Sequence, residues 1–282
     1  MTEIKSNSEK NAGKLIAILA AVLLVIVFLC IGIFYMVNSF GSQLIAAQAE
    51  TQEAGATIME AYNELQSIAA TGTAESYKQI LEIPSDWYTL VSDGFAGNRY
   101  RWPELIAENE SDIAVTHPYF QGNTYHFDAL AKTGFVWRLT PKVTSVQDFY
   151  CEVDGRMVEG PLDGEFGIVF RESGDNFYIF MVDAEGSYSV FLQYEDDWID
   201  VKVGTWNNSV PEVSQDGTYT TPTLHLAVLA QGTRFYFFIN GRFITTIIDE
   251  SLSRGNVGLS VALNDTGDQG SFEFDNFLLK IP

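Results

Sequence analysis

A mainly β fold, a sandwich of two antiparallel sheets, is predicted for residues 84–282 of this chain, and three observations predict it. From about Trp87 onward, apolar and aromatic runs of strand length are divided by turn signals, and no long stretch has helical period. Some runs alternate: Phe166, Ile168 and Phe170 share one face, the core face, while Glu165, Gly167, Val169 and Arg171 share the other. Other runs, such as residues 177–182 and 224–230, are apolar on both faces, as central strands covered from two sides should be.

The punctuation orders these runs into a meander of about a dozen strands. Asp154-Gly155, Asp163-Gly164, Asp216-Gly217 and Asn240-Gly241 are turn dipeptides, and the last joins residues 235–239 to 242–248 in the clearest hairpin. The composition agrees, with 20 Phe and 13 Tyr and only 19% charged residues. A formal net charge of -21 repels a phosphate backbone and excludes nucleic acid as a partner. It suits a soluble exported domain, and its carboxylates are also the ligands a hard cation such as calcium takes.

Ahead of the β region lies a different kind of chain. No charge occurs from Leu15 to Val37, and as a helix at about 1.5 Å per residue this stretch reaches roughly 34 Å, enough to cross a ~30 Å hydrocarbon core. It is too long for a signal h-region of about 7–15 residues. Lys5, Lys10 and Lys14 precede it and Glu50 is the first charge after it, so the N-terminus is expected in the cytoplasm and the C-terminal part outside the cell. Cys30 falls in this apolar stretch and Cys151 in a strand, so the two are not expected to pair.

Next, Leu44, Thr51, Ile58 and Leu65 recur every seventh residue, with Ala47, Ala54, Ala61 and Ile68 three behind. This stripe reads as a helical stalk, either a weak oligomerising seam or a helix leaning on the neighbouring domain. Pro84 ends it. The expected organisation is a cytoplasmic tail (1–14), a transmembrane helix (15–37), a helical stalk (38–83) and the β-sandwich domain (84–282).

Within the β region, Gly167-Ile168-Val169-Phe170-Arg171, then Asp175-Asn176-Phe177-Tyr178-Ile179-Phe180, then Gly186-Ser187-Tyr188 form a run that resembles concanavalin A-like lectin/glucanase domains of bacterial surface proteins. The hairpin at Asn240-Gly241, the stretch Gly255-Asn256-Val257-Gly258-Leu259 and the closing Phe274-Asp275-Asn276-Phe277 are similar to later parts of the same domains. The resemblance implies a jelly-roll sandwich of two antiparallel sheets, LamG-like or like the keto-glycoside lyases and hydratases. It also implies a structural calcium site at Asp275, the aspartate of the last strand. The superfamily holds sugar binders, glycosidases and lyases, so it leaves the activity open.

The residues show no catalytic set. A retaining glucanase needs two carboxyl groups about 5–5.5 Å apart; in Glu152-Val153-Asp154-Gly155-Arg156-Met157-Val158-Glu159 the second glutamate falls too far along. His117, His126 and His225 have neither metal-ligand spacing nor a serine elbow nearby, and His225, between Leu224 and Leu226, reads as structural. Sugar binding needs flat aromatic faces beside polar groups. Glu165, Arg171, Tyr178, Trp198 and Trp206 are the candidate ligand-binding residues, with Glu165 and Arg171 expected on one outward face and Tyr178, Trp198 and Trp206 as stacking rings. Besides Asp275, the acidic turns at 175–176, 195–197 and 264–268 offer further oxygen ligands for calcium.

The reading is thus a membrane-anchored extracellular binding module for glycan or another cell-surface partner. The alternatives are a sugar-active enzyme resembling the keto-glycoside lyases, and a filament subunit of pilin-like outline. Against the latter, the early apolar segment lacks the acidic residue familiar in type IV pilins.

Overall fold

The computed structural model describes residues 80–282 apart from 105–106, 109–112, 144, 208–211 and 214–216. The chain divides into two units, residues 1–72 and 73–282, and the second contains the fold described below. The expected transmembrane helix and nearly all of the expected stalk lie outside the described residues. Among the described residues no helix is long and apolar enough to cross a membrane.

Among the described residues a 3-10 turn, Ile83–Asp86, leads into seventeen strands. These are β1 (Tyr88–Asp93), β2 (Ala107–Glu108), β3 (Ile113–Gln121), β4 (Thr124–Ala131), β5 (Phe135–Leu139), β6 (Phe149–Glu159), β7 (Glu165–Ser173), β8 (Asn176–Val182), β9 (Ser187–Tyr194), β10 (Asp197–Thr205), β11 (Glu212–Val213), β12 (Tyr219–Thr220), β13 (Leu224–Gln231), β14 (Arg234–Ile239), β15 (Arg242–Ile248), β16 (Asn256–Leu263) and β17 (Gln269–Ile281). The count exceeds the dozen expected partly because β2, β11 and β12 are two-residue strands, too short to leave a periodic signal.

Two antiparallel sheets carry the fold. One runs β15-β14-β13-β6-β17-β4-β3-β2, with β1 also paired to β17; the other runs β10-β9-β8-β7-β16-β5. Neighbours distant in sequence, such as β6 with β13 and β17, place the middle of the chain at the centre of the larger sheet. The Asn240-Gly241 hairpin forms as expected, with both residues at positive φ (52° and 72°), the conformation that a two-residue turn between right-twisted strands requires.

The core lies between the sheets. Phe166, Ile168 and Phe170 of β7 are all 0% exposed, as their alternation predicts. The Phe170 ring centre lies 5.3 Å from Phe235 and 6.0 Å from Phe149 of the facing sheet, and Phe180 lies 5.0 Å from Phe237. Such ring pairs add to the large area each aromatic removes from water. On β6, Gly155 leaves room for this packing, since a Cβ there would stand 3.1 Å from the rings of Phe166 and Phe274.

The strands apolar on both faces are covered on both sides. Val169, Phe177, Ile179, Met181 and Ala262 form a second apolar cluster on the outer face of the six-stranded sheet, with Val136 and Phe191 against it. Arg138 lies over the Phe177 ring at 4.4 Å. A third cluster, Tyr150, Ala227, Leu229 and Phe238, covers part of the outer face of the nine-stranded sheet and is itself covered by Ile80, Leu81 and Trp87.

Candidate functional site

The outer face of the nine-stranded sheet changes character beyond that third cluster. Alternation on β6 sends Phe149, Cys151, Val153 and Met157 into the core, so Glu152, Asp154 and Arg156 face outward. Register then sets His225 of β13 beside Asp154, and Glu273 of β17 between Arg156 and His126 of β4. Tyr119 of β3 follows beside His126. A polar row therefore crosses five adjacent strands, and all three histidines of the chain stand on or next to it.

Its groups hold one another. His225 places Nδ1 2.8 Å from Asp154 Oδ1 and Nε2 3.4 Å from Glu152 Oε2. Asn276 donates through Nδ2 to Asp154 Oδ2 at 2.9 Å, and the Tyr150 hydroxyl donates to Glu152 Oε2 at 2.5 Å. Further along, Arg156 gives Nε and Nη2 to Glu273 Oε2, at 2.7 and 2.5 Å, and His126 Nδ1 lies 3.5 Å from Glu273 Oε1. The Tyr119 ring stacks on His126, centres 4.9 Å apart, and its hydroxyl bonds Asp128, which also accepts from Ser271 Oγ at 2.8 Å. Beyond this end opens a cleft of about 730 Å³ lined by His117, Asp128, Glu159, Thr218, Asp268 and Ser271, among others.

The electrostatics follow from the contacts. Hydrogen bonding to Glu152, with that to Asp154 and the charge of both, outweighs burial and lifts His225 to a pKa of about 9. The bond from His225 keeps Glu152 below the ordinary carboxylate range, against a burial effect of opposite sign. The contacts thus favour the imidazolium form of His225. Sequence reasoning set Glu152 and Asp154 aside and assigned His225 a structural role. The signal that would have found them is the outward alternation of β6 read together with the β6 to β13 pairing, which a single strand does not reveal.

The residues singled out from the sequence fall elsewhere, and they do not converge. Arg171 corrects the alternation argument: a β-bulge between Phe170 and Ser173, with Arg171 at φ 52°, turns its side chain inward. It is 1% exposed and donates to the carbonyls of Leu252 (2.6 Å), Gln147 (3.3 Å) and Gly232, with its guanidinium 4.5 Å from the Phe235 ring. Its Nη1 and Nη2 are committed to loops of the fold while Nε is buried without a hydrogen-bond partner, and it does not share the outward face of Glu165. Tyr178 is also interior, 0% exposed, stacked on Phe170 and donating to Asp249 Oδ1 at 2.5 Å. Trp206 packs against the main core, its indole nitrogen buried.

Glu165 and Trp198 line one groove, without touching, on the outer face of the six-stranded sheet. With Phe135, Val136, Ile179, Phe191 and Asn264 they line a groove of about 330 Å³. Trp198, on the edge strand β10, is half exposed and sets its ring edge-to-face with Phe177 and Phe191. Glu165 bonds Ser189 Oγ at 2.7 Å, and burial pushes its carboxyl up to about 7, assisted by the charges of Asp183 and Asp163. Asp275 stands beside Asp154 in register and accepts the Asn276 amide hydrogen at 2.7 Å. Among the described residues no three histidine, cysteine or acidic side chains are placed to hold a metal ion together, so calcium at Asp275 would have to be held largely by carbonyl oxygens.

No protein-family model matches the chain, and no curated protein matches it. Solved structures do. The carbohydrate-binding module CBM66 from Bacillus subtilis is similar at 19% identity and TM-score 0.44, over 66% of this chain and 99% of that one. The catalytic domain of an endo-1,3-beta-glucanase (laminarinase) from Thermotoga petrophila gives 9% and 0.49, over 70% and 98%. A Bacillus licheniformis beta-glucanase gives 8% and 0.45, over 68% and 97%. At 8–19% identity the likeness is one of fold.

Proposed function

We propose that this chain is a membrane-anchored, extracellular binding module for glycans, held by the apolar helix at residues 15–37 and displaying the polar face of its nine-stranded sheet. The observation that carries the reading is the row of two bonded clusters on this face, His225 with Asp154 and Glu152, and Arg156 with Glu273 beside His126. A saccharide hydroxyl both donates and accepts, so it suits a face of alternating donors and acceptors already fixed by one another. Arg156, 44% exposed at its side chain, gives Nε and Nη2 to Glu273 and has Nη1 left for a ligand oxygen, while Asp154 Oδ1 and Oδ2 each accept a single bond and so keep a lone pair. The adjoining cleft has room for a chain that continues past the row.

The enzymatic alternative is the weaker one. Glycoside cleavage calls for a carboxylic acid that stays protonated near neutrality beside a second, ionised carboxylate. On the polar face Glu152 is held low, and the carboxyl pushed to about 7, Glu165, stands on the outer face of the other sheet. The test is a glycan array probed with the full chain in detergent micelles. Retention on a defined glycan class, lost in Asp154→Ala and Arg156→Ala, is the expected result; a chain that retains no glycan refutes the reading.

A further inference from the structure

We infer that the opposite side of the sandwich carries a second saccharide site, in which a sugar ring stacks on Trp198 and one of its hydroxyls donates to Gln193 Oε1. It rests on the glycan-binding reading above but uses other residues on the other sheet. On the outer face of the six-stranded sheet, Gln193 of β9 is the register partner of both Trp198 of β10 and Phe177 of β8. Gln193 is 8% exposed, and its side-chain oxygen is buried with no hydrogen-bond partner.

A buried acceptor without a donor is costly, and a methionine of the same length would fill the position without that cost. The oxygen therefore suits a donor that comes from outside. Trp198, its register neighbour on the edge strand, is 52% exposed and stands nearly perpendicular to the Phe177 and Phe191 rings, and the exposed part of its indole is what the apolar face of a sugar ring would meet. A rotamer change of this exposed side chain would move the indole from Gln193 onto the incoming sugar.

The adjoining groove fixes the class of ligand. Apolar Val136, Ile179 and Phe191 line it. Glu165 is its one ionisable lining residue among those described, and the cation on this face beside Phe177, Arg138, is already paired with Glu172 at 3.2 Å. The carboxylates of Asp163 and Asp183 act on the same region. The site is thus built for a neutral saccharide.

The experiment is ¹⁹F NMR of the full chain labelled with 5-fluorotryptophan, the Trp198 resonance assigned by Trp198→Phe and the sample titrated with D-glucose and with cellobiose. A saturable shift of the Trp198 resonance is expected, with affinity at least tenfold weaker in Gln193→Met and unchanged in Asp154→Ala. In the Asp154→Ala background, saturation-transfer signals from cellobiose should likewise be lost on adding Trp198→Ala, a change at an exposed position. Absence of a saturable shift with both sugars, or equal affinity in Gln193→Met, overturns the second site. Failure of the polar-face reading shows separately, as glycan retention untouched by Asp154→Ala.

Discussion

His225 Nδ1 lies 2.8 Å from Asp154 Oδ1 across the pairing of β13 with β6, joining the two central strands of the nine-stranded sheet by a side-chain contact in addition to their ladder. The same histidine is held at its backbone by Asn240, whose amide donates to the His225 carbonyl at 2.7 Å and whose side chain accepts from the His225 amide at 2.9 Å. The hairpin turn at Asn240-Gly241 thereby positions the imidazole.

This contact predicts a pH dependence of stability. The folded protein binds the His225 proton more tightly than the unfolded chain does, with a pKa of about 9 against 6.5. Its contribution is fully present below pH 6.5 and is lost as pH rises through 9. Urea unfolding followed across that interval should show stability falling with pH, and the fall should shrink in His225→Gln. An identical pH profile in that variant excludes the clamp.

Arg171→Ala is expected to destabilise the fold by about 3 kcal/mol or more, since several buried carbonyls lose their donor and the side-chain volume is left empty. Glycan retention by the folded fraction should be unchanged. Gly255 supports the same bulge, because a Cβ there would lie 2.1 Å from the Arg171 carbonyl carbon, so Gly255→Ala should destabilise as well. Chemical denaturation of the two variants checks both statements.

The contrast between Phe170 and Arg171 shows what a one-dimensional reading captures. Period-two alternation placed Phe166, Ile168 and Phe170 correctly, because a regular strand leaves no other choice. One bulge residue later the rule reversed, and no turn dipeptide marks that bulge in the sequence. The two-sheet sandwich and its clearest hairpin were legible, since they rest on composition and local turn chemistry. The polar row was not, because it depends on pairing between β6, β13 and β17, which are separated by long stretches of chain. Tyr178 illustrates a further limit: on a strand apolar on both faces, periodicity does not say which face meets the other sheet.

Glu165 makes a prediction of the same sign as His225 in a different interval. Burial raises its pKa from 4.5 to about 7, so the folded state keeps a proton that the unfolded chain releases. Stability should be greatest below pH 4.5 on this account and decline as pH rises through 7. Glu165→Gln, which keeps a group able to meet Ser189 Oγ, should flatten the decline between those limits while leaving the further decline above about pH 7, which belongs to His225, unaltered. Thermal melts of both variants over the two intervals separate the contributions.

The last prediction concerns where the β domain begins. Pro84 was the boundary read from the sequence, and Pro84 is itself buried, its carbonyl accepting from Lys280 Nζ at 3.1 Å. Ile80 and Leu81, just before it, lie against the apolar cluster of Tyr150, Ala227, Leu229 and Phe238 on the outer face of the nine-stranded sheet. A fragment beginning at Pro84 uncovers that cluster, and burying a large aliphatic side chain contributes about 1.5–3 kcal/mol when complete. Both are only partly buried, so the pair together should be worth about 2 kcal/mol. A fragment beginning at Thr73, where the second unit starts, should therefore melt higher than one beginning at Pro84, with Ile80→Ser and Leu81→Ser in the longer fragment together removing most of the difference. Equal melting temperatures for the two fragments would place the domain boundary at Pro84 and reduce the contact of Ile80 and Leu81 to one without energetic weight.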